Sequence, residues 1–96
     1  MTERFGMFDS VKLKEGVATE DMYGELVRLP RGKRGSVLQP GKKPSSYIVE
    51  FQTGRSMHSS DFTQVDLPVD LLEVEASIGT PFAESDWGKP HYWFDV

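Results

Sequence analysis

The chain has 96 residues, a length that holds one domain and no second hydrophobic core. Its formal net charge of −4 disfavours general attraction to nucleic acid or anionic membranes, and the lack of cysteine excludes disulfides and thiolate metal sites. The N-terminal MTERFGMF has no apolar signal region and no stretch reaches membrane-spanning length, so we expect a cytoplasmic protein.

Five short segments carry the apolar alternation or the β-branched and aromatic content of strands. In chain order they are residues 9–14, 36–39, 47–52, 56–65 and 72–75. The strongest is the third, in which Tyr47, Val49 and Phe51 share one face. No segment has 12 residues of helical periodicity, so the chain is predicted to be all-β.

Turns and loops are predicted between these strands. Residues 15–24 resemble a loop, and the apolar segment 25–29 ends at Pro30, which cannot donate a hydrogen bond within a sheet. Proline followed by glycine at residues 40–41 predicts a type II turn with a positive φ at the glycine. Residues 67–70 predict one helical turn or a bend before the last strand.

The small number and short length of the strands favour a closed barrel, because closure removes exposed sheet edges. We therefore expect a five-stranded SH3-like barrel over residues 1–76. Residues 77–96 are expected to form an irregular, aromatic-rich C-terminal tail that packs on the barrel or on a partner.

Several segments resemble small bacterial SH3-like-barrel proteins of uncharacterised function. They are FDSVKL at 8–13, LPRGKRGSV at 29–37, YIVEF at 47–51 and LLEV at 71–74. The glycine spacing of the second segment is also similar to the KOW motif of ribosomal proteins and transcription elongation factors. The resemblance covers about residues 7–75 and implies the fold, but the architecture hosts many unrelated functions.

The basic, glycine-rich middle of the chain is the first candidate contact region. Residues 32–36 lack the spacing of a phosphate-binding loop and precede a strand, so the two glycines predict tight-turn backbone conformations. The surrounding cations are candidates for binding an acidic partner: Arg28, Arg31, Lys33, Arg34, Lys42 and Lys43. They form one patch if the turn at 30–35 and the loop at 40–44 lie at the same end of the barrel.

The C-terminal tail is the second candidate contact region. Five of the eleven aromatic residues lie between Phe82 and Phe94. They either fold back over the barrel as a lid or contact a partner, since tryptophan and tyrosine are typical interface anchors. The candidate contact residues are Trp87, Tyr92, Trp93 and Phe94.

No catalytic, metal or cofactor site is predicted. His58 and His91 lie 33 residues apart without companion ligands. The Ser, His and Asp side chains within 57–61 are neighbours on one segment and point to opposite faces, so they cannot form a relay.

We therefore expect a non-catalytic protein-binding module from a bacterium or phage, of the inhibitor, immunity or antitoxin type, or a small accessory subunit. The alternative is a KOW-like nucleic-acid-binding module that uses the basic turns at 28–43.

Overall fold

The structure is a computed structural model that describes residues 4–53 and 62–82. These residues contain seven strands and one short helical turn. The strands are β1 (Ser10–Leu13), β2 (Val17–Glu20), β3 (Leu26–Leu29), β4 (Arg34–Pro40), β5 (Ser46–Gln52), β6 (Phe62–Pro68) and β7 (Leu72–Ala76). A 3₁₀ helix (Val69–Leu71) joins β6 to β7. The prediction of an all-β chain is thus confirmed for the described ranges.

Five strands form one antiparallel sheet in the order β6-β5-β4-β1-β7, and β2 pairs with β3 in a separate ribbon. The five strands of the sheet correspond to the five predicted segments, although residues 56–61 of the fourth lie outside the described ranges. Within those ranges β6 and β7 end the sheet and do not pair with each other. The predicted closed barrel is therefore not confirmed.

The core lies against one face of this sheet. Tyr47, Val49 and Phe51 are fully buried there, as the alternation predicts. The rest of the buried cluster comes from the other strands and the N-terminal segment: Phe5, Val11, Leu13, Leu29, Val37, Val65, Leu67, Val69 and Leu72. The Phe5 ring lies 5.0 Å from the Tyr47 ring, and its backbone N–H donates to the Tyr47 hydroxyl. The segment before β1 is thus part of the core.

The turn predictions at residues 15–24 and at Gly41 need correction. Residues 15–24 are not all loop, because Val17–Glu20 pairs with Leu26–Leu29 to form the ribbon. Gly41 does not adopt a positive φ; that conformation occurs at Ser45, with a φ of 64°. A Cβ at Gly41 would collide with the side chains of Asp66 and Ser46, so glycine is needed there for close packing.

Asp9 organises the end of the sheet where β1 begins. Its side chain is 3% exposed and accepts backbone N–H groups from Gly6 (2.8 Å), Ile78 (2.7 Å) and Gly79 (2.9 Å). These bonds tie the turn before β1 to the segment after β7. They also hold Phe8 in a left-handed conformation with a φ of 66°, which is costly for an aromatic residue.

Candidate functional site

The β2–β3 ribbon presents an exposed outer face. In its register Ala18 lies opposite Arg28, and Glu20 lies opposite Leu26. Because side chains alternate along a strand, these four residues point to the same side, away from Val17 and Leu29. All four are exposed, and the Leu26 side chain is 70% exposed.

A shallow groove of about 370 Å³ lies at the base of the ribbon, away from its tip. Its lining is mostly apolar: Gly16, Val17, Ala18, Arg28, Leu29 and Pro30. Gly16, just before β2, and Ala18 carry almost no side chain, whereas Arg28 and Pro30, just after β3, are large. The groove therefore exists because small residues on the β2 side of the ribbon face large residues on the β3 side.

Arg28 lines this groove, and three more cations lie within three residues of its lining in sequence. The backbone of Leu13 exchanges hydrogen bonds with Gly32 (2.8 Å) and Lys33 (3.0 Å), which brings the turn after β3 beside the end of β1. The basic cluster formed there consists of Lys14, Arg28, Arg31 and Lys33. Within the described part of the chain, none of the four forms an ion pair. Glu15 is the nearest acid in sequence.

Three of these cations were predicted as contact residues from the sequence, whereas Lys14 was missed. It joins the cluster through the pairing of Leu13 with residues nearly twenty positions later, for which the sequence carries no local signal.

Arg34 does not belong to the basic cluster. Its guanidinium donates to the Glu75 carboxylate at 2.6 Å, across β1. That hydrogen bond lowers the pKa of Glu75 and raises the pKa of Arg34. This predicted contact cation is therefore already engaged within the chain.

Lys42 and Lys43 lie at the far end of β4. The seven residues of that strand separate them from the turn at 30–33 by about 20 Å, at the usual rise per residue. Both side chains are exposed, and the backbone N–H of Lys42 donates to Asp66. The six predicted cations therefore do not converge on one patch.

The ribbon is held in place at its tip. The Asp21 carboxylate accepts the backbone N–H groups of Tyr23 and Glu25 and the hydroxyl of Thr63 on β6, at 2.8–2.9 Å. The backbone N–H of Met22 donates to the carbonyl of Gln64. These bonds fix the ribbon, and with it the groove, against the main sheet.

Asp9 and Asp21 both have a lowered pKa. Burial raises the pKa of each carboxyl, but the hydrogen bonds donated to it outweigh burial and bring the pKa below the ordinary value of 3.8. For Asp9 the donors are backbone groups alone. For Asp21 they include the Thr63 hydroxyl.

We expect stability to fall at acid pH for this reason. A carboxyl whose pKa is lower in the folded state stabilises the fold above its unfolded pKa of about 3.9, and this contribution is lost as pH falls through the folded pKa. Thermal unfolding followed by circular dichroism from pH 7 to pH 2 should show a midpoint that is level above about pH 5 and then drops. In Asp9→Asn the drop should be smaller. An Asp9→Asn profile that falls as steeply as that of the wild type would contradict this assignment.

The remaining predicted site residues lie outside the described ranges. They are Trp87, Tyr92, Trp93 and Phe94, together with both histidines. Phe82, the last described residue, packs near Tyr47 with ring centroids 6.3 Å apart. Among the described side chains no group of three or more His, Asp or Glu residues is placed to hold a metal.

In residues 4–53 and 62–82 there is no helix with the length and apolar character needed to cross a membrane. Comparison with protein-family models, with curated proteins and with solved structures found no match to this chain.

Proposed function

We propose that this protein is a binding module for another protein and performs no chemistry of its own. The observation that carries the proposal is the groove at the base of the β2–β3 ribbon, whose mostly apolar lining includes Arg28. Lys14, Arg31 and Lys33 lie close to this lining in sequence, and none of the four cations forms an ion pair within the described structure. An apolar floor with charged groups at its rim is typical of a protein interface.

The shape of the groove favours a polypeptide as the bound partner. The groove is open and shallow, whereas sites for small molecules bury most of the ligand surface. The exposed Leu26 adds an apolar side chain on the same face of the ribbon as Arg28. Arginine is enriched among the residues that dominate binding energy at interfaces. An inhibitor, immunity or antitoxin-type protein, or an accessory subunit, would use such a surface to hold an acidic partner.

We further propose that the sheet and the ribbon together form an SH3-like barrel. Three features support this: a single sheet of five antiparallel strands, a bulge in β4 between Val37 and Gln39, and contact of the ribbon tip with the outer edge of β6. A bulge bends its strand, as closure of a barrel requires. A sheet edge covered by another element is protected from further pairing, as it is when a strand pairs with it.

Nucleic-acid binding is the alternative outcome. It needs several phosphate contacts along one surface, whereas the predicted cations are divided between the two ends of β4 and Arg34 is paired with Glu75. The experiment below therefore includes a nucleic-acid arm.

The test is affinity capture of a partner from the native host, followed by measurement of binding with purified components. We expect Arg28→Glu to weaken binding about tenfold or more, because it reverses a charge at the groove, and Gly16→Leu to weaken it by filling the groove. A Cβ at Gly16 meets only ordinary contacts at 3.6 Å and beyond, so the fold should tolerate a side chain at this position.

The matched control is Lys43→Glu, an equal charge reversal at the far end of β4. Ile78→Ser is a second control, since this side chain is 68% exposed and lies outside the groove. The proposal fails if both groove variants bind as the wild type does. It also fails if labelled RNA or DNA binds with a steep salt dependence that Lys33→Glu with Arg34→Glu abolishes, since that result identifies a nucleic-acid-binding module.

A further inference from the structure

We propose that the outer edge of β2 binds an extended segment of the partner as an added strand, with an acidic side chain of that segment placed beside Arg28. This inference rests on the proposed protein-binding function and specifies the chemistry of the partner.

Among residues 4–53 and 62–82 no strand pairs with the outer edge of β2. The N–H of Asp21 donates to the carbonyl of Glu25, so this facing pair is hydrogen-bonded. Hydrogen-bonded and non-hydrogen-bonded pairs alternate along an antiparallel ladder, so Ala18 and Glu20 direct their N–H and C=O groups away from β3. No described backbone group bonds to these positions from outside the ribbon. A row of unpaired backbone N–H and C=O groups can pair with a strand from another chain.

The edge of β3 is a poorer template. Leu26 and Arg28 also direct backbone groups outward, but Pro30 follows without an N–H to donate. The position opposite Pro30 is Gly16, just before β2, and within the described ranges Gly16 and Ala18 leave space beside the β2 edge. Strand addition is therefore favoured at β2 and not at β3.

The charges around the groove select an acidic side chain. Neighbouring strands lie about 4.8 Å apart, so a strand added to β2 lies about 10 Å from β3. A glutamate placed opposite Ala18 and the side chain of Arg28 together span that distance. The aliphatic part of the glutamate would fill the groove and its carboxylate would meet Arg28. Glu20 lies toward the tip, so the segment should carry one acid near the base and none beside Glu20.

The test uses a synthetic probe and the full-length protein. The probe is acetyl-Thr-Val-Glu-Val-Thr-Val-Thr-amide, and its control has lysine in place of glutamate. Titration followed by amide NMR signals is expected to shift the resonances of Gly16, Ala18 and Glu20, with binding of the lysine peptide about tenfold weaker or more. The proposal is overturned if the probe shifts no amide resonances, or if it shifts only those of residues away from Gly16 and β2.

Two changes isolate the backbone contribution. Ala18→Pro removes an outward N–H without removing a hydrogen bond of the ribbon, so it should weaken binding of the probe about fivefold. Ala18→Ser keeps this N–H and should leave binding of the probe unchanged. Two N-methylated probes leave the protein unaltered, one methylated at the glutamate and the central threonine and the other at the valines. One of them should bind about fivefold more weakly or worse, because one alternate set of N–H groups faces β2 in an antiparallel pairing and the other set in a parallel pairing. Equal binding of both methylated probes overturns strand addition. If a native partner still requires the groove while the probe fails, the proposed function stands and this inference alone is rejected.

Discussion

Replacement of Asp9 by alanine is expected to lower the free energy of unfolding by about 4 kcal/mol, because three hydrogen bonds to a charged carboxylate are lost at once. The carboxylate is 3% exposed and is the acceptor for backbone groups on both sides of the sheet end. Domains of this size have a total stability of about 5–15 kcal/mol, so the change should remove between about a quarter and four fifths of the stability. Urea unfolding followed by circular dichroism measures the difference.

Asp66→Ala is the matched control for this variant. The Asp66 carboxylate accepts one backbone N–H, from Lys42, and its loss should cost about 1 kcal/mol. Equal losses for the two aspartates would show that Asp9 does not hold the strained turn at Phe8.

Replacement of Gly35 by alanine is the second large effect and should cost about 3 kcal/mol. Gly35 lies in β4 between Val11 of β1 and Phe51 of β5. A Cβ at this position would lie 2.7 Å from the Glu50 carbonyl oxygen and 2.8 Å from the Phe51 ring. The core is densely packed, so neither neighbour can retreat without strain.

Gly16→Ala serves as the control, since the new Cβ there makes only ordinary contacts and the backbone has no positive φ. It should leave stability within about 0.5 kcal/mol of the wild type. Adding Phe51→Leu to Gly35→Ala should recover part of the loss relative to the sum of the two single changes, because the smaller side chain leaves room for the methyl group. Strictly additive losses would show that the two residues do not compete for space.

Gly32 and Gly35 show which roles of glycine can be predicted from the sequence. Both were predicted to permit tight-turn conformations, and Gly32 does so with a φ of 82°. Gly35 instead lies inside a strand, where it makes room for an aromatic ring that is 16 residues away in sequence. The conformation of a turn depends on neighbouring residues and can be predicted from the sequence. The contact between a glycine and a side chain on the next strand depends on the register of the sheet.

The candidate site also combines features that the sequence predicts with features that only the fold determines. The sequence indicates that Arg28, Arg31 and Lys33 are unusual in an acidic chain. Their grouping with Lys14, and their separation from Lys42 and Lys43, follow from the pairing of β1 with the turn after β3 and from the length of β4.

Alternation of apolar and polar residues determined the strands of the main sheet and the core face of β5, because side chains on a strand alternate with a period of two whatever its neighbours are. The same rule was too weak in residues 15–24, where short, polar β2 is stabilised by pairing with β3. The order of the strands, the burial of Asp9 and the groove beside Arg28 were decided only by the tertiary structure. Each of these depends on contacts between residues distant in sequence, whose energies no local pattern encodes.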